Sequence, residues 1–341
     1  MIFTGKGRTR FLDAVTGFED AVGRSDGERA QQAMQDVRQY FEHARDDDLV
    51  LIGPRMAALL PEVPPGPRAL VAVLIGACVE RGADAVACAP QVLDGLAEAL
   101  GVAQEFCERW AATGGGDLPE PDPAALTEAA LERVGQDAAV GWITLPQWEM
   151  ASVAMLNRPA VRTALLPETR LVLLRALHGI QEASGHDFKC LHYALLVLDD
   201  EPLLALHRPT GTGYLLRMTG MGDTFQLHTL LADVLIGGGH VPGQAPSAQE
   251  AAVCRDAPGQ VPTTGAFNLV TPDGEWVWNE GTPTDIPVVD GVRVVVLDPP
   301  PYQRGWPAGR FFPGMTGDLV LERVLGADEA REWLGRCAPP K

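Results

Sequence analysis

Hydrophobic and polar positions along the chain follow two rhythms, and the change comes near residue 186. Before it, apolar residues return every three or four positions, the period of a helix that buries one face. Over 27–48 this places Ala33, Val37, Tyr40 and Phe41 together. The stretch 68–81 is apolar nearly all round, as expected of a helix inside a bundle. Residues 91–110 repeat the same spacing, and 167–183 form another helix with Leu171, Leu174 and Ile180 on its core face. Between them lies a Gly-, Pro- and acid-rich linker at 113–121. Asp122 and Pro123 follow as N-cap and first-turn residues for a helix ending near Gly135. No self-similar period holds, so an irregular helical domain is expected rather than a solenoid.

After residue 186 the apolar runs shorten and turn signals multiply. Strands are expected at 190–198, 203–207 and 213–219. A helix follows at 223–236, with Asp223 as N-cap and Gly237 just past its end. Residues 237–264 read as a Gly/Pro-rich excursion. Two hairpins then turn at Pro272-Asp-Gly and at Asp290-Gly291, the second a strong signal. A last strand at 319–324 and a short helix at 328–334 close the chain. The fold class is therefore α+β. An irregular helical domain over 1–185 precedes an α+β domain over 186–341, whose mainly antiparallel sheet carries an inserted helix and a C-terminal helix.

Charge narrows the choice of partners. There are 27 basic and 45 acidic residues, a net charge of −18, with no basic cluster. Nucleic acids and anionic membrane surfaces both need clustered Lys and Arg, so neither is expected as a partner. Cationic partners are tolerated by such a field. The longest apolar run, 69–79, is shorter than the roughly 20 residues that span a bilayer. The first residues lack the apolar segment of a signal peptide. The six cysteines are scattered with no C-x-x-C, which reads as reduced thiols in a cytoplasmic protein.

Four segments carry candidate chemistry. The densest polar cluster, 207–228, holds His207, Arg208, Arg217, Asp223 and His228. There an arginine could clamp an anion and a histidine could serve as acid or base. The alternative is that Asp223 only caps its helix and His228, in line with Leu231 and Leu235, is a core residue. Gly220-Met-Gly222 within the cluster is a weak echo of a phosphate loop. In 186–192, read as a strand, His186, Cys190 and His192 gather around Phe188 on one face and could ligate zinc. Cys190 could otherwise act as a nucleophile with His192 or His178 as base. Glu280 and Asp285 flank a turn beside tryptophans, the residue types of a glycosidase.

The fourth segment, 298–314, is stiffened by prolines and bears Tyr302, Arg304, Trp306, Arg310, Phe311 and Phe312. Tyr, Trp and Arg dominate interface energetics, so a stiff loop displaying them suits a binding surface. The competing reading is that its aromatics plug the protein's own core. No G-x-S-x-G, H-E-x-x-H or G-x-x-x-x-G-K-[ST] occurs, and no pattern names a cofactor. The leading expectation is a non-catalytic protein that takes a peptide or protein segment in a groove, aided by the 298–314 loop and an open sheet edge. The alternative is an enzyme with its polar site around 207–228. A homodimer is compatible with either.

Overall fold

The computed structural model describes residues 3–341. The chain forms two compact units, Met1–His192 and Tyr193–Lys341, and the fold is α+β. The boundary falls inside a helix.

The first unit is helical. It contains α1 (Phe3–Gly23), α2 (Gly27–Tyr40), α3 (Asp46–Leu59), α4 (Pro65–Glu80), α5 (Ala85–Ala112), α6 (Glu128–Val134), α7 (Gln136–Leu156), α8 (Pro159–Ala164) and α9 (Pro167–Ser184). The all-round apolar α4 is buried along most of its length, as its sequence requires. Glycines let α5 and α7 approach closely. A Cβ on Gly95 would fall 2.3 Å from the Trp148 ring, and one on Gly141 would fall 2.5 Å from Val102. Among the described helices, α5 alone is long and apolar enough to cross a membrane, yet half of that window is buried in packing. The helix expected from Asp122 splits in two. Asp122 caps only a single turn, Pro123–Ala125, and Thr127 restarts the chain as α6 by accepting the Ala130 N–H.

The expected strand at 190–198 is instead a helix, α10 (Lys189–Leu196). Its first turn is held from a distance: the Glu149 carboxylate on α7 accepts the Leu191 N–H at 3.1 Å. The local sequence supports the helix as well: 190–198 holds four leucines and an alanine, good helix formers, and Leu191, Ala194 and Leu195 are buried at helical spacing.

The second unit is built on one sheet. Its elements are β1 (Glu201–His207), β2 (Thr212–Thr219), α11 (Thr224–Ala232), α12 (Ala248–Arg255), β3 (Val261–Thr264), β4 (Asn268–Val270), β5 (Val288–Val289), β6 (Val292–Asp298), β7 (Gly305–Ala308), β8 (Asp318–Val324) and α13 (Ala327–Gly335). The sheet order is β4-β6-β1-β2-β8, antiparallel except for β1 against β6. The central β1 is apolar on both faces because both are covered. Leu203 and Ala205 pack with Leu227, Leu230 and Leu231 of α11, and Leu204 and Leu206 pack toward Ala330 of α13. The Asp290-Gly291 turn joins β5 to β6 with both residues at positive φ, 52° and 83°, as a two-residue hairpin needs. The excursion at 237–264 hides α12, started by a capping box between Ser247 and Glu250.

Candidate functional site

The two parallel strands end side by side, and a cleft of about 510 Å³ opens beyond their last residues, His207 and Asp298. Parallel strands leave such a crevice at their carboxyl ends because the following loops diverge. Prolines stiffen the lining at 209, 242, 246, 262, 299 and 300. Hydrogen-bonding groups come from His207, Gln244, Glu250, Thr263, Thr264 and Gln303.

His207 lies on the α11 face of β1, and its Nδ1 shares a 2.8 Å hydrogen bond with Thr210 Oγ1. Burial lowers its pKa below the usual histidine value, while the Asp298 charge acts the other way, so the ring is neutral near pH 7. Glu250 is buried enough to favour its acid form, but hydrogen bonds from Thr263 and Ser247 carry its pKa below the usual value. It is therefore a carboxylate. No Lys or Arg lines the cleft among the described residues, so its charge is not positive.

One wall is the strand β3, which pairs with β7 alone. The register fixes which way its backbone points. Gly265 donates its N–H to the Arg304 carbonyl at 2.9 Å, and Pro262 faces Pro307, where neither residue has an N–H to give. In an antiparallel pair the bonding residues alternate. The carbonyls of Pro262 and Thr264 and the N–H of Thr264 therefore point away from β7, along an edge that borders the cleft.

The other residues singled out in 207–228 do not join His207 there. Arg208 extends from the opposite face of β1 and donates to Asp298 Oδ1 at 2.8 Å and to the Ala338 carbonyl at 2.9 Å. It ties β1, β6 and the C-terminal segment together and is not a free anion clamp. Arg217 is held by Glu322 at 2.9 Å and by the Asp200 carbonyl. Asp223 caps α11 by accepting the Gln226 N–H at 2.7 Å. His228 is sealed inside, 2% exposed. The Gly220-Met-Gly222 turn cradles no phosphate, because the Gly222 N–H is spent on Gln226 Oε1 at 2.9 Å.

The metal expectation is corrected. Because α10 is a helix, His186 lies before it and Cys190 and His192 do not share a strand face. His186 sits edge-on to Phe188 and 3.5 Å from Glu120, and Cys190 is exposed. Among the described residues no group of three or more His, Cys, Asp or Glu could hold a metal. Burial and the nearby Glu149 raise the Cys190 thiol pKa, the wrong direction for a nucleophile. His178 pairs with Glu182 on its own helix. The carboxylate of Asp285 caps the turn by accepting the Thr282 N–H, and the backbone carbonyl of Glu280 accepts from the Tyr193 hydroxyl.

The 298–314 loop does not display its aromatic residues as expected. Trp306 and Phe312 are buried, and Phe311 packs on Tyr193 and Phe312. Arg310 donates to the carbonyls of Met315, Asp256 and Ala257, tying the loop to the end of α12. Arg304 bonds Asn268 Oδ1 at 3.0 Å and stands over the rings of Trp276 and Tyr302. Tyr302 alone of the six is largely exposed, at 57%. Aromatic surface is too apolar to remain wet when a core lies within reach. What the loop gives the cleft is Pro299, Pro300 and Gln303. The β3 edge went unnoticed in the sequence, although S-x-x-E at 247–250 marks the helix that leads to it.

No family model matches this chain, and no curated protein or solved structure is significantly similar to it.

Proposed function

We propose that the C-terminal unit is a non-catalytic binding module that takes an extended peptide or protein segment in the cleft beside β3. The observation that carries the reading is the unpaired β3 edge along the wall of a cleft of about 510 Å³. Strand addition uses such an edge for affinity, while flanking pockets choose side chains. The prolines hold the walls in advance and so reduce the entropy lost on binding. With Glu250 ionised and no Lys or Arg in the lining, the segment would be neutral or basic. The cytoplasm is the compartment this reading assumes, in line with free, scattered cysteines. The alternative reading as an enzyme around 207–228 keeps one group at the cleft, the neutral imidazole of His207.

The test is selection from a random dodecapeptide display library on the immobilised full chain. Enriched peptides should then be titrated against wild type and Thr264→Pro. Thr264 is exposed and its N–H points away from β7, so proline there removes one outward donor and no β3–β7 bond. About tenfold weaker binding is expected, with circular dichroism unchanged. Equal binding to the variant, or no enrichment above the bare surface, would overturn the proposal.

A further inference from the structure

The side chains beside the β3 edge bear on which segment the cleft would admit, an inference that rests on reading the cleft as a peptide site. Side chains alternate across the pleat of β3. Pro262 and Thr264 are exposed, whereas Thr263 is 9% exposed and turns to the other face. There its hydroxyl donates to the carboxylate of Glu250, in the first turn of α12. The Ser247 N–H donates to Oε2 of the same carboxylate at 2.6 Å. Glu250 is thus held at the cleft wall, and a carboxylate with two such bonds still has lone pairs to offer.

Three titratable side chains line the cleft among the described residues: His207, Glu250 and Asp298. The imidazole of His207 is neutral near pH 7. Asp298 is already compensated, since Arg208 Nε donates to its Oδ1 at 2.8 Å. Glu250 is ionised and is in no ion pair among the described residues. Its charge is the uncompensated one in the lining. Low-dielectric walls strengthen the pull of such a charge on a cation and its rejection of an anion.

The register says where that charge would be met. The outward backbone groups of β3 belong to Pro262 and Thr264, so an added strand bonds to these two and lays one residue between them, opposite Thr263. Residues opposite each other in a sheet turn their side chains to the same face. The side chain opposite Thr263 therefore emerges on the Glu250 face, whichever way the added strand runs.

We propose that the segment taken by the cleft carries a lysine or arginine opposite Thr263, and that its cationic side chain pairs with the carboxylate of Glu250. An acidic or phosphorylated residue at that position would be rejected by like charge.

The experiment selects dodecapeptides on the immobilised full chain and titrates those recovered against wild type, Glu250→Gln and Glu28→Gln. Glutamine at the third position of α12 still completes its capping box, so circular dichroism should be unchanged. Glu28, exposed in the first turn of α2, is outside the lining, and its variant controls for attraction to the net charge of −18. Recovered peptides should share a Lys or Arg. They should bind Glu250→Gln about tenfold more weakly and Glu28→Gln as tightly as wild type. Norleucine in place of the basic residue should weaken binding to wild type about tenfold and cause no further loss on Glu250→Gln. This change in the peptide reads the pair on wild-type protein as well. Peptides that weaken with Thr264→Pro yet lack a basic residue, or bind Glu250→Gln as tightly as wild type, would overturn this inference and leave the binding module standing. Equal weakening by both glutamine variants would overturn it too. No enrichment above the bare surface would remove the module itself, and this inference with it.

Discussion

The two units bury polar side chains to different extents: Ser152 and Asn157 in the helical unit, and Thr224, Asp298, Trp306 and Arg310 in the sheet unit, each bury an atom with no partner in the chain. In the helical unit, Asp48 is buried between α1 and α3 but accepts two hydrogen bonds from Arg8, at 2.7 and 2.6 Å. The Arg8 hydrogen bonds hold its pKa below the usual carboxylate value. Arg162 is buried too, and donates to the Leu156 carbonyl at 2.7 Å. In the sheet unit, His228 is buried with Asn279 as its side-chain hydrogen-bond partner, Trp306 is buried with its Nε1 unbonded, and Asp298 is 5% exposed with only one oxygen engaged. Paired groups fix a structure. Unpaired ones are costly to bury. The contrast teaches that the sheet unit bears more of that cost than the helical one, and it can be broken or sharpened by mutation.

The largest effect should come from the helical unit, whose stability rests on fit. Gly95 on α5 touches the buried indole of Trp148, and a methyl group there would sit 2.3 Å from it. Gly95→Ala would normally favour a helix, but overpacking should win and cost about 3 kcal/mol. Urea denaturation of the full chain, followed by tryptophan fluorescence and circular dichroism, measures this. A stabilised variant would mean that α5 and α7 can separate freely, and the helical unit would then not be the tightly fitted partner in the comparison.

The sequence carried the repeating patterns and lost whatever depended on distant contacts. Helix periodicity over 68–81 and 167–183 became α4 and α9, although the buried face of α9 is Leu173, Leu177 and Ile180 and the expected Leu171 is exposed, and the Asp-Gly hairpin formed at Asp290-Gly291. These are local signals set by spacing and turn chemistry. The segment 190–198 is the exception: its helix is carried by local spacing, with Leu191, Ala194 and Leu195 buried on one face, and Glu149 adds one bond to its first turn. The aromatic residues of 298–314 do depend on distant contacts. Composition shows that Trp306 and Phe312 are apolar but not whether a core lies within reach. Within the site, His207 and His228 looked alike in sequence. Only the strand ending at His207 and the turn carrying Asn279 over α11 separate them into a cleft residue and a sealed one.

A second test uses acid, which should act on the two units in opposite senses. The folded-state pKa of His228 is about 3, against an ordinary value of 6.5. Between these values the unfolded chain binds the proton and the folded chain does not, so stability falls as pH drops below 6.5. The loss should reach about 2 kcal/mol by pH about 5. Burial instead raises the pKa of Glu149, so in the window just above 4.5 the folded helical unit binds the proton more readily and is favoured by acid. The measurement is unfolding free energy against pH for wild type and His228→Phe. The variant's curve should be flatter between pH 6.5 and 5 by the amount given. Parallel curves would mean that His228 is protonated in the fold, and the sheet unit would lose its sealed neutral histidine.

The smallest effect compares one device in both units. Asp26 and Asp223 each cap a helix by accepting the N–H three residues on, at 3.1 Å from Arg29 and 2.7 Å from Gln226. Asp26 starts α2 on the exposed side of the helical unit, and water can replace its carboxylate. Asp223 starts α11, whose residues are nearly all buried, so the orphaned N–H has less access to water. Replacing an N-cap by alanine costs about 1 kcal/mol on average, within roughly 0.5–2. Asp26→Ala should fall at the low end of that range and Asp223→Ala at the high end. Chemical denaturation of both variants decides the order, and peptide titration of Asp223→Ala decides the role. If its stability is unchanged while peptide binding is lost, Asp223 acts on the ligand rather than on α11. The cap would then belong with His207 at the cleft, and the comparison of the two caps would no longer be one of stability alone.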